Sequence, residues 1–600
     1  MNRKIVFTGA VLIIGVIIII RLFYLQVIDD KYRNKAFSLT EKEIVVMPAR
    51  GLIYDRKKRL VVVNKPVYDL LVVPNEINNL DTLAFCQLVG VTLKEFKIKI
   101  QAAKKYSYRK ESHFLKKLTQ AEYIRISEQL FKFEGFVGRP NTVRSYPSKS
   151  GALLFGDVAE VSSRDLSNDS YYRQGEDIGK GGIEKRYEKA LRGKKGLRYM
   201  FRNNFGVLQN SPGKNSDSIA VKGTEIIACV DIELQAYGEQ LMQGKKGCIV
   251  AIDPSTGGIL SMVSAPSFDP NLLVGKKRGY NYKPLSQDSL KPLFNRPVQA
   301  QYRPGSIFKM VQALVALQHG YIVPETRITC NRGIIGCHGS HTRDDLHDAI
   351  KHSCNPYFRE VLKRMVEDKK ISNGSRFEMA QVGLGNWKTN IEKFGFGSKL
   401  NTDIPRVQKG HIPGPRYYDK IYGDLAWAFS TIYSISIGEG ELLVTPLQMA
   451  NLAAIIANKG WYISPHTVSQ VGDKKMYLGL EYRTPVGVNA EHFEVVRNAM
   501  EDVVNQDGGT ARGGRVPGVV VCGKTGTVQN PPPLKDHSIF IAFAPKDNPT
   551  IAIAVYVENA GFGGAWAAPI ASLMIEKYVK GEVTMTAKEK RILEADLINE

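Results

Sequence analysis

The sequence predicts an α+β protein: an antiparallel five-stranded sheet with helices, preceded by an α/β domain and a transmembrane helix. Three observations predict it. Residues 5–20 form an apolar run without a charge at the start of the chain. Residues 31–222 mix strand-like and helix-like periods. Beyond them, apolar runs at 247–253 and 258–265 are answered near the end by three more, at 519–522, 538–544 and 551–557. Two early and three late strands around a helical middle make one sheet.

Six hundred residues exceed what one core organises, so at least two domains are expected. With 43% hydrophobic and 24% charged residues the chain is a folded one. Its net charge of +23 points to anionic surroundings. The basic residues are scattered rather than set in a stripe with aromatics, which sets nucleic acid aside. Seven cysteines in this length make no disulfide scaffold.

Arg3 and Lys4 precede the apolar run, and Leu22, Phe23 and Leu25 extend it past Arg21. About 20 residues span a bilayer. No small-x-small site follows, which favours an uncleaved anchor over a signal peptide. Arg3, Lys4 and the terminal amine favour a cytoplasmic start, although Arg21, Lys31 and Arg33 weaken the bias. The expected division is a tail and anchor at 1–28, an N-terminal pedestal domain at 29–222, a main domain at 223–582 and a tail at 583–600.

In the pedestal, the turn-rich segment 47–56 leads into a strand at 60–63, and 67–73 reads as another. Residues 81–133 are mostly helical in period, and a short helix is expected from Gly181 to about Gly193. Arg50, Asp55 and Arg56 suit a buried ion-pair cluster better than a site, because nothing catalytic gathers in this half. Residues 214–218 read as a linker. A helix is expected from about Asp231, and the runs 247–253 and 258–265, separated by Pro254-Ser255-Thr256-Gly257, read as a hairpin.

Gly305-Ser306-Ile307-Phe308-Lys309 opens a segment that is apolar on all sides to Leu317, the mark of a buried helix. Three residues apart, Ser306 and Lys309 share a face. Desolvation favours the neutral amine, and an amine beside a hydroxyl is a base beside a weak nucleophile. Alone the pair says little. Ser211-Pro212-Gly213-Lys214 repeats its spacing in a loop.

Two further motifs change the weight. Ser353-Cys354-Asn355 ends a helical pattern running from about Asp344. Its Ser353 can relay a proton, and Asn355 can hold a peptide bond. Lys524-Thr525-Gly526-Thr527 continues a strand, whose edge can pair with an extended peptide and meet its carboxylate. Gly526 leaves room for close approach, and the Thr527 and Ser306 amides suit an oxyanion hole. Each motif falls on the element type its role requires.

Ser306-x-x-Lys309, Ser353-x-Asn355 and Lys524-Thr525-Gly526 resemble the motif triplet of penicillin-binding proteins and serine β-lactamases. Cys354 stands where the commonest form has Asp. Arg50-Gly51, Asp55-Arg56, Gly182-Ile183-Glu184, Tyr187-Glu188, Gly438-Glu439-Gly440 and 444–450 resemble a class B penicillin-binding protein. Asn64-Lys65-Pro66-Val67-Tyr68 and the Cys/His insert look more like the elongation type, penicillin-binding protein 2, than the division type. The resemblance implies a penicillin-binding/serine β-lactamase-like transpeptidase domain that cross-links peptidoglycan stem peptides through a Ser306 acyl-enzyme and is blocked by β-lactams. It implies no cofactor for catalysis. It also implies a single-pass protein of the cytoplasmic (inner) membrane, with its catalytic domain on the periplasmic or extracytoplasmic side. The partners it implies are a SEDS-type glycosyltransferase (RodA-like) and a rod-complex scaffold (MreC-like).

Residues 330–354 hold three of the seven cysteines and four of the ten histidines. Cys337, His338, His341 and Cys354 make one workable Zn²⁺ set, which would be structural. A Cys330–Cys337 disulfide or plain surface histidines are the other readings. Cys86, Cys229, Cys248 and Cys522 lie in apolar runs and are expected in the core.

A β-lactamase would need a device for activating water, and no such Glu stands out. A membrane-linked β-lactam sensor would carry several spans. A non-catalytic wall-synthesis scaffold would have no use for Ser306, Lys309 and Lys524.

Overall fold

The computed structural model describes residues 3–28, 41–202, 208–210, 217–370, 372–477 and 482–599. Lys31, Arg33, the Ser211–Lys214 repeat and most of the expected linker lie outside them. Met1–Gly51 with Lys189–Thr224 forms one unit, and Leu52–Glu188 with Glu225–Glu600 a second.

In the first unit, Arg3–Phe23 is helical and continues as a π-helical turn, Tyr24–Ile28. It buries no side chain and is long and apolar enough to cross a membrane, as a single-pass anchor does. The strands Glu41–Val46, Gly196–Arg202 and Leu208–Asn210 form a small antiparallel sheet.

The second unit contains two cores. In the first, strand Leu60–Val72 pairs antiparallel with both Phe136–Ser145 and Ser112–Leu118. The two strands expected at 60–63 and 67–73 are therefore one. Pro66 is accommodated opposite Thr142. Helices Thr82–Val89, Leu93–Tyr106 and Gln120–Leu130 contribute to an aromatic core of Phe85, Phe96, Phe114, Phe133 and Phe136. Two of these helices start in the Thr-x-x-Glu capping boxes of Thr92 and Thr119. The helical expectation for 81–133 misses strand Ser112–Leu118. Its apolar positions, Phe114, Leu115 and Leu118, satisfy either period, and pairing with Tyr68 and Leu70 decides for the strand. Asp55 is buried and accepts the Lys57 and Arg59 amides and the Arg59 guanidinium. Arg56 pairs with Asp253. The Asp55/Arg56 segment is thus an ion-pair knot.

The second core is built on the expected five-stranded sheet, in the order Ile259–Ala265, Gly247–Ile252, Ile551–Val557, His537–Ala544, Cys522–Val528. Every pairing is antiparallel. The last strand starts at Cys522, where the 519–522 run was expected to end, and carries Lys524-Thr525-Gly526-Thr527 itself. Helix Ala567–Lys580 covers one face, where Phe540 lies near Gly514 with Ala568. Helix Ala490–Asn505 covers the other, with Arg497 over Phe543. Alternation along the strand places Phe540 and Phe543 on opposite faces. Residues 583–600 include a helix, Thr586–Glu594, whose Ile592 is buried. The buried Lys245 Nζ donates to the Ile592 and Ala595 carbonyls. Cys86, Cys229, Cys248 and Cys522 are buried free thiols, as expected.

Candidate active site

Ser306 lies in the 3₁₀ turn Gly305–Phe308, which leads directly into helix Lys309–Gln318. Every helical residue from Lys309 to Leu317 is buried, as a segment apolar on all sides requires. The turn is held from two directions. Gly305 N–H donates to Gly438 O at 2.9 Å. A Cβ on Gly526 would stand 3.2 Å from Pro304 O and 3.4 Å from Ile307 Cγ2, so strand Cys522–Val528 runs close beside the turn.

Helix Leu346–Lys351 ends just before Ser353, whose φ of 58° turns the chain sharply into helix Asn355–Val366. That turn brings the three motifs together. Lys309 Nζ donates to Ser353 O at 2.7 Å, Ser353 Oγ at 3.2 Å and Asn355 Oδ1 at 2.6 Å. Lys524 Nζ donates to the same Ser353 Oγ at 2.9 Å and to Thr525 O at 3.0 Å. Among the described residues, no hydrogen bond joins Ser306 Oγ to Lys309. The Lys309 amine donates instead to Ser353 and Asn355.

Both lysine side chains are fully buried. Burial pulls the Lys309 ammonium down to about 8. Burial, then the Lys309 charge, pulls Lys524 well below the ordinary lysine value. Two ammonium groups sharing one hydroxyl away from water release a proton readily.

Thr525 Oγ1 lies 2.9 Å from Thr510 Oγ1, and Thr527 Oγ1 accepts the Gly563 amide at 3.3 Å. Thr510 has no motif and no telling spacing in the sequence. Neither has the ion pair of Arg303 with Glu439 at 2.9 Å, beside the serine turn, although the Gly438-Glu439-Gly440 pattern draws attention to the segment.

The insert supports the same site. Asn355 Nδ2 donates to Gly336 O at 2.7 Å, and its amide donates to Cys337 Sγ at 3.4 Å. Cys330, Cys337, His341 and Cys354 have ligand atoms within 4.8 Å of one another. Cys330 therefore takes the place expected of His338, whose ring instead meets Phe562 edge-on at 6.3 Å. The loop path sets this difference, because adjacent residues 337 and 338 point apart. Cys330 and Cys337 are free thiols. Hydrogen bonds from Cys354 and from the Asn355 amide push the Cys337 thiol down, while donating to Cys337 pushes Cys354 up. Three sulfurs and one imidazole at this spacing form a donor set that suits zinc. Asp344 stands beside it, 3.5 Å from His341 and 3.4 Å from His352.

Residues 247–576 match the penicillin-binding protein transpeptidase domain, and residues 45–226 match the penicillin-binding protein dimerisation domain. The chain is 31% identical to the peptidoglycan D,D-transpeptidase MrdA of Acinetobacter baumannii, covering 93% of this chain and 84% of that one. It is 30% identical to the MrdA of Haemophilus influenzae, covering 97% and 92%. Among solved structures, penicillin-binding protein 2 of Pseudomonas aeruginosa in complex with WCK 5153 superposes with a TM-score of 0.66 at 25% identity, covering 91% of this chain and 99% of that one. Penicillin-binding protein 2 of Helicobacter pylori in complex with MreC superposes with a TM-score of 0.72 at 24% identity, covering 90% and 100%. With its transpeptidase sheet, its buried lysine pair and its relatives in agreement, the chain belongs to the class B penicillin-binding proteins, as a peptidoglycan D,D-transpeptidase of the penicillin-binding protein 2 type.

Proposed function

We propose that Ser306 is the nucleophile that cross-links peptidoglycan stem peptides during cell elongation. The observation that carries this assignment is the bridge from Lys309 through Ser353 Oγ to Lys524. Neutral Lys309 takes the Ser306 proton as Oγ attacks the penultimate D-alanine carbonyl. The amides of Ser306 and Thr527 receive the developing oxyanion. Ser353 passes the proton to the departing D-alanine amine, and the acyl group stays on Ser306. An amine of a neighbouring stem then attacks, gives up its proton by the same route and leaves with the acyl group. Asn355 holds the donor peptide bond. Lys524 and Thr525 meet the terminal carboxylate, and Gly526 lets the strand edge approach.

Residues 223–582 are the transpeptidase domain in this reading. In the same reading residues 29–222 are the pedestal domain, residues 1–28 the anchor, and the catalytic domain lies on the periplasmic or extracytoplasmic side. The same pedestal would bind a MreC-like scaffold and a SEDS-type, RodA-like glycosyltransferase. The MreC complex of the Helicobacter pylori neighbour supports the scaffold. A fold likeness to a peptidoglycan synthase complex that coordinates polymerization and crosslinking supports the synthase.

The acyl transfer uses no cofactor. Cys330, Cys337, His341 and Cys354 would hold a structural Zn²⁺, which would fix the 336–337 segment that Asn355 leans on.

The test is D-alanine release and cross-link formation from pentapeptide-bearing glycan strands by the full chain. Ser306→Ala and Lys309→Ala are expected to abolish both. Undiminished cross-linking by Ser306→Ala would remove the serine from the mechanism, and no cross-linking by the wild type would favour a scaffold.

A further inference from the structure

The chain continues past Glu576, where the match to the transpeptidase domain ends, into helix Thr586–Glu594. Its buried Ile592 seats this helix, as does the Tyr237 hydroxyl, which donates to Glu589 Oε1 at 2.8 Å. Two further side chains reach from it to backbone carbonyls. Lys588 Nζ donates to Gly513 O and Arg515 O, each at 3.0 Å, and to Ser572 Oγ at 2.9 Å. All the ammonium hydrogens are thus engaged. Arg591 Nη2 donates to Ala565 O at 2.7 Å, and its guanidinium lies 5.0 Å from the centre of the Trp566 ring.

The carbonyls they hold belong to two loops that serve strand Cys522–Val528. Residues 508–515 carry Thr510, whose Oγ1 lies 2.9 Å from Thr525 Oγ1. Residues 562–566 carry Gly563, whose amide donates to Thr527 Oγ1 at 3.3 Å. The loops also rest on each other. A Cβ on Gly564 would stand 2.7 Å from Thr510 O, and one on Gly513 would stand 2.8 Å from Gly564 O. The first loop contains Gly508, Gly509, Gly513 and Gly514, the residue type with most backbone freedom to lose. Such a segment holds one conformation only when outside contacts offset that loss.

We infer that helix Thr586–Glu594 supports the substrate site, with Lys588 and Arg591 as positioning residues for the Thr510–Thr525 hydroxyl pair that receives the substrate carboxylate. Lys588 fixes the loop at Gly513 and Arg515, just beyond Thr510. Arg591 fixes the loop whose Gly564 packs on Thr510 O. Thr510 held in this way donates its hydroxyl hydrogen to Thr525 Oγ1, which leaves the Thr525 hydrogen for a carboxylate oxygen. Hydroxyls in series polarise one another, and the bond to the anion gains from it. The inference rests on the assignment of Thr525 to the terminal carboxylate.

The test compares acylation of the detergent-solubilised full chain by benzylpenicillin, which carries a carboxylate, and by its methyl ester, which does not. Lys588→Met and Thr510→Val should each slow the acid about tenfold or more and leave the ester within about a factor of two. Thr510→Ser, which keeps the hydroxyl, should retain the wild-type rate. The Lys588→Met/Thr510→Val double variant should be no slower than the slower single one, because both act through one hydroxyl pair. A cooperative thermal melt shows that each variant is folded, and Lys588→Gln replaces Lys588→Met if that variant does not melt cooperatively. Acid and ester rates that fall together, an unchanged acid rate, or losses that add in the double variant would overturn the inference, as would the failure of both Lys588 variants to fold. A wild type that neither compound acylates would overturn the acyl-enzyme reading and this inference with it.

Discussion

Ser353 Oγ accepts a hydrogen bond from Lys524 Nζ at 2.9 Å, across 171 residues of chain. The same oxygen is 3.2 Å from Lys309 Nζ. One hydroxyl therefore connects Lys309 to Lys524 on the strand edge. Ser353→Ala should slow acylation by benzylpenicillin about 10²-fold or more, the usual range for losing a proton-transfer group. Stopped-flow acylation on a folded variant measures it. A rate within a factor of two of wild type would make Ser353 a bystander.

In the proposed mechanism Lys309 sets the pH dependence. Burial lowers its ammonium to about 8, and only the neutral amine can accept the Ser306 proton. The competent fraction therefore grows as pH rises through 8 and drops about tenfold per unit below it. Acylation rates measured from pH 6 to 9 should climb and then level off. A flat or falling profile would contradict the assignment.

Gly438 shapes the serine turn from outside. Its φ is 80°, and a Cβ there would stand 2.0 Å from Gly305 O. Gly438→Ala must push the turn away from its seat, with a strain of about 1–3 kcal/mol from the backbone conformation alone. A lower thermal midpoint and slower acylation are both expected. Wild-type acylation would show that the turn tolerates displacement.

The Cys/His cluster predicts metal content. Protein purified without chelator should carry about one zinc per chain, since a closed structural site needs four ligands. Cys330→Ser and Cys354→Ser should lose it, and His338→Ala should keep it, because His338 faces Phe562 instead. Chelation should also lower the melting temperature, through the loosened 336–337 segment. Plasma mass spectrometry reads the metal directly, and a zinc-free wild type that melts unchanged in chelator would refute the site.

Much of the transpeptidase fold is legible from short apolar runs bounded by turn residues, and strand Ile551–Val557 coincides with its run. Cys522–Val528 is harder to place. Val519, Val520 and Val521 are the better strand formers, yet Gly523, Lys524 and Gly526 enter the ladder because they pair with Ala542, Ile541 and Ile539. Local propensity misleads in the same way at Ser112–Leu118, where the partner strand decides. The Ser306, Lys309, Ser353, Asn355 and Lys524 grouping is readable because each motif sits at the end or edge of an element that can present it. Thr510 and Cys330 are not readable in their roles. Each reaches its partners through a loop whose path no periodicity describes.

The most direct test is the intact mass of the detergent-solubilised protein after exposure to benzylpenicillin, with Ser306→Ala alongside. A stable single adduct on the wild type, absent from the variant, is the predicted result. A folded wild type that forms no adduct, or a Ser306→Ala variant that still forms one, would contradict a Ser306 acyl-enzyme.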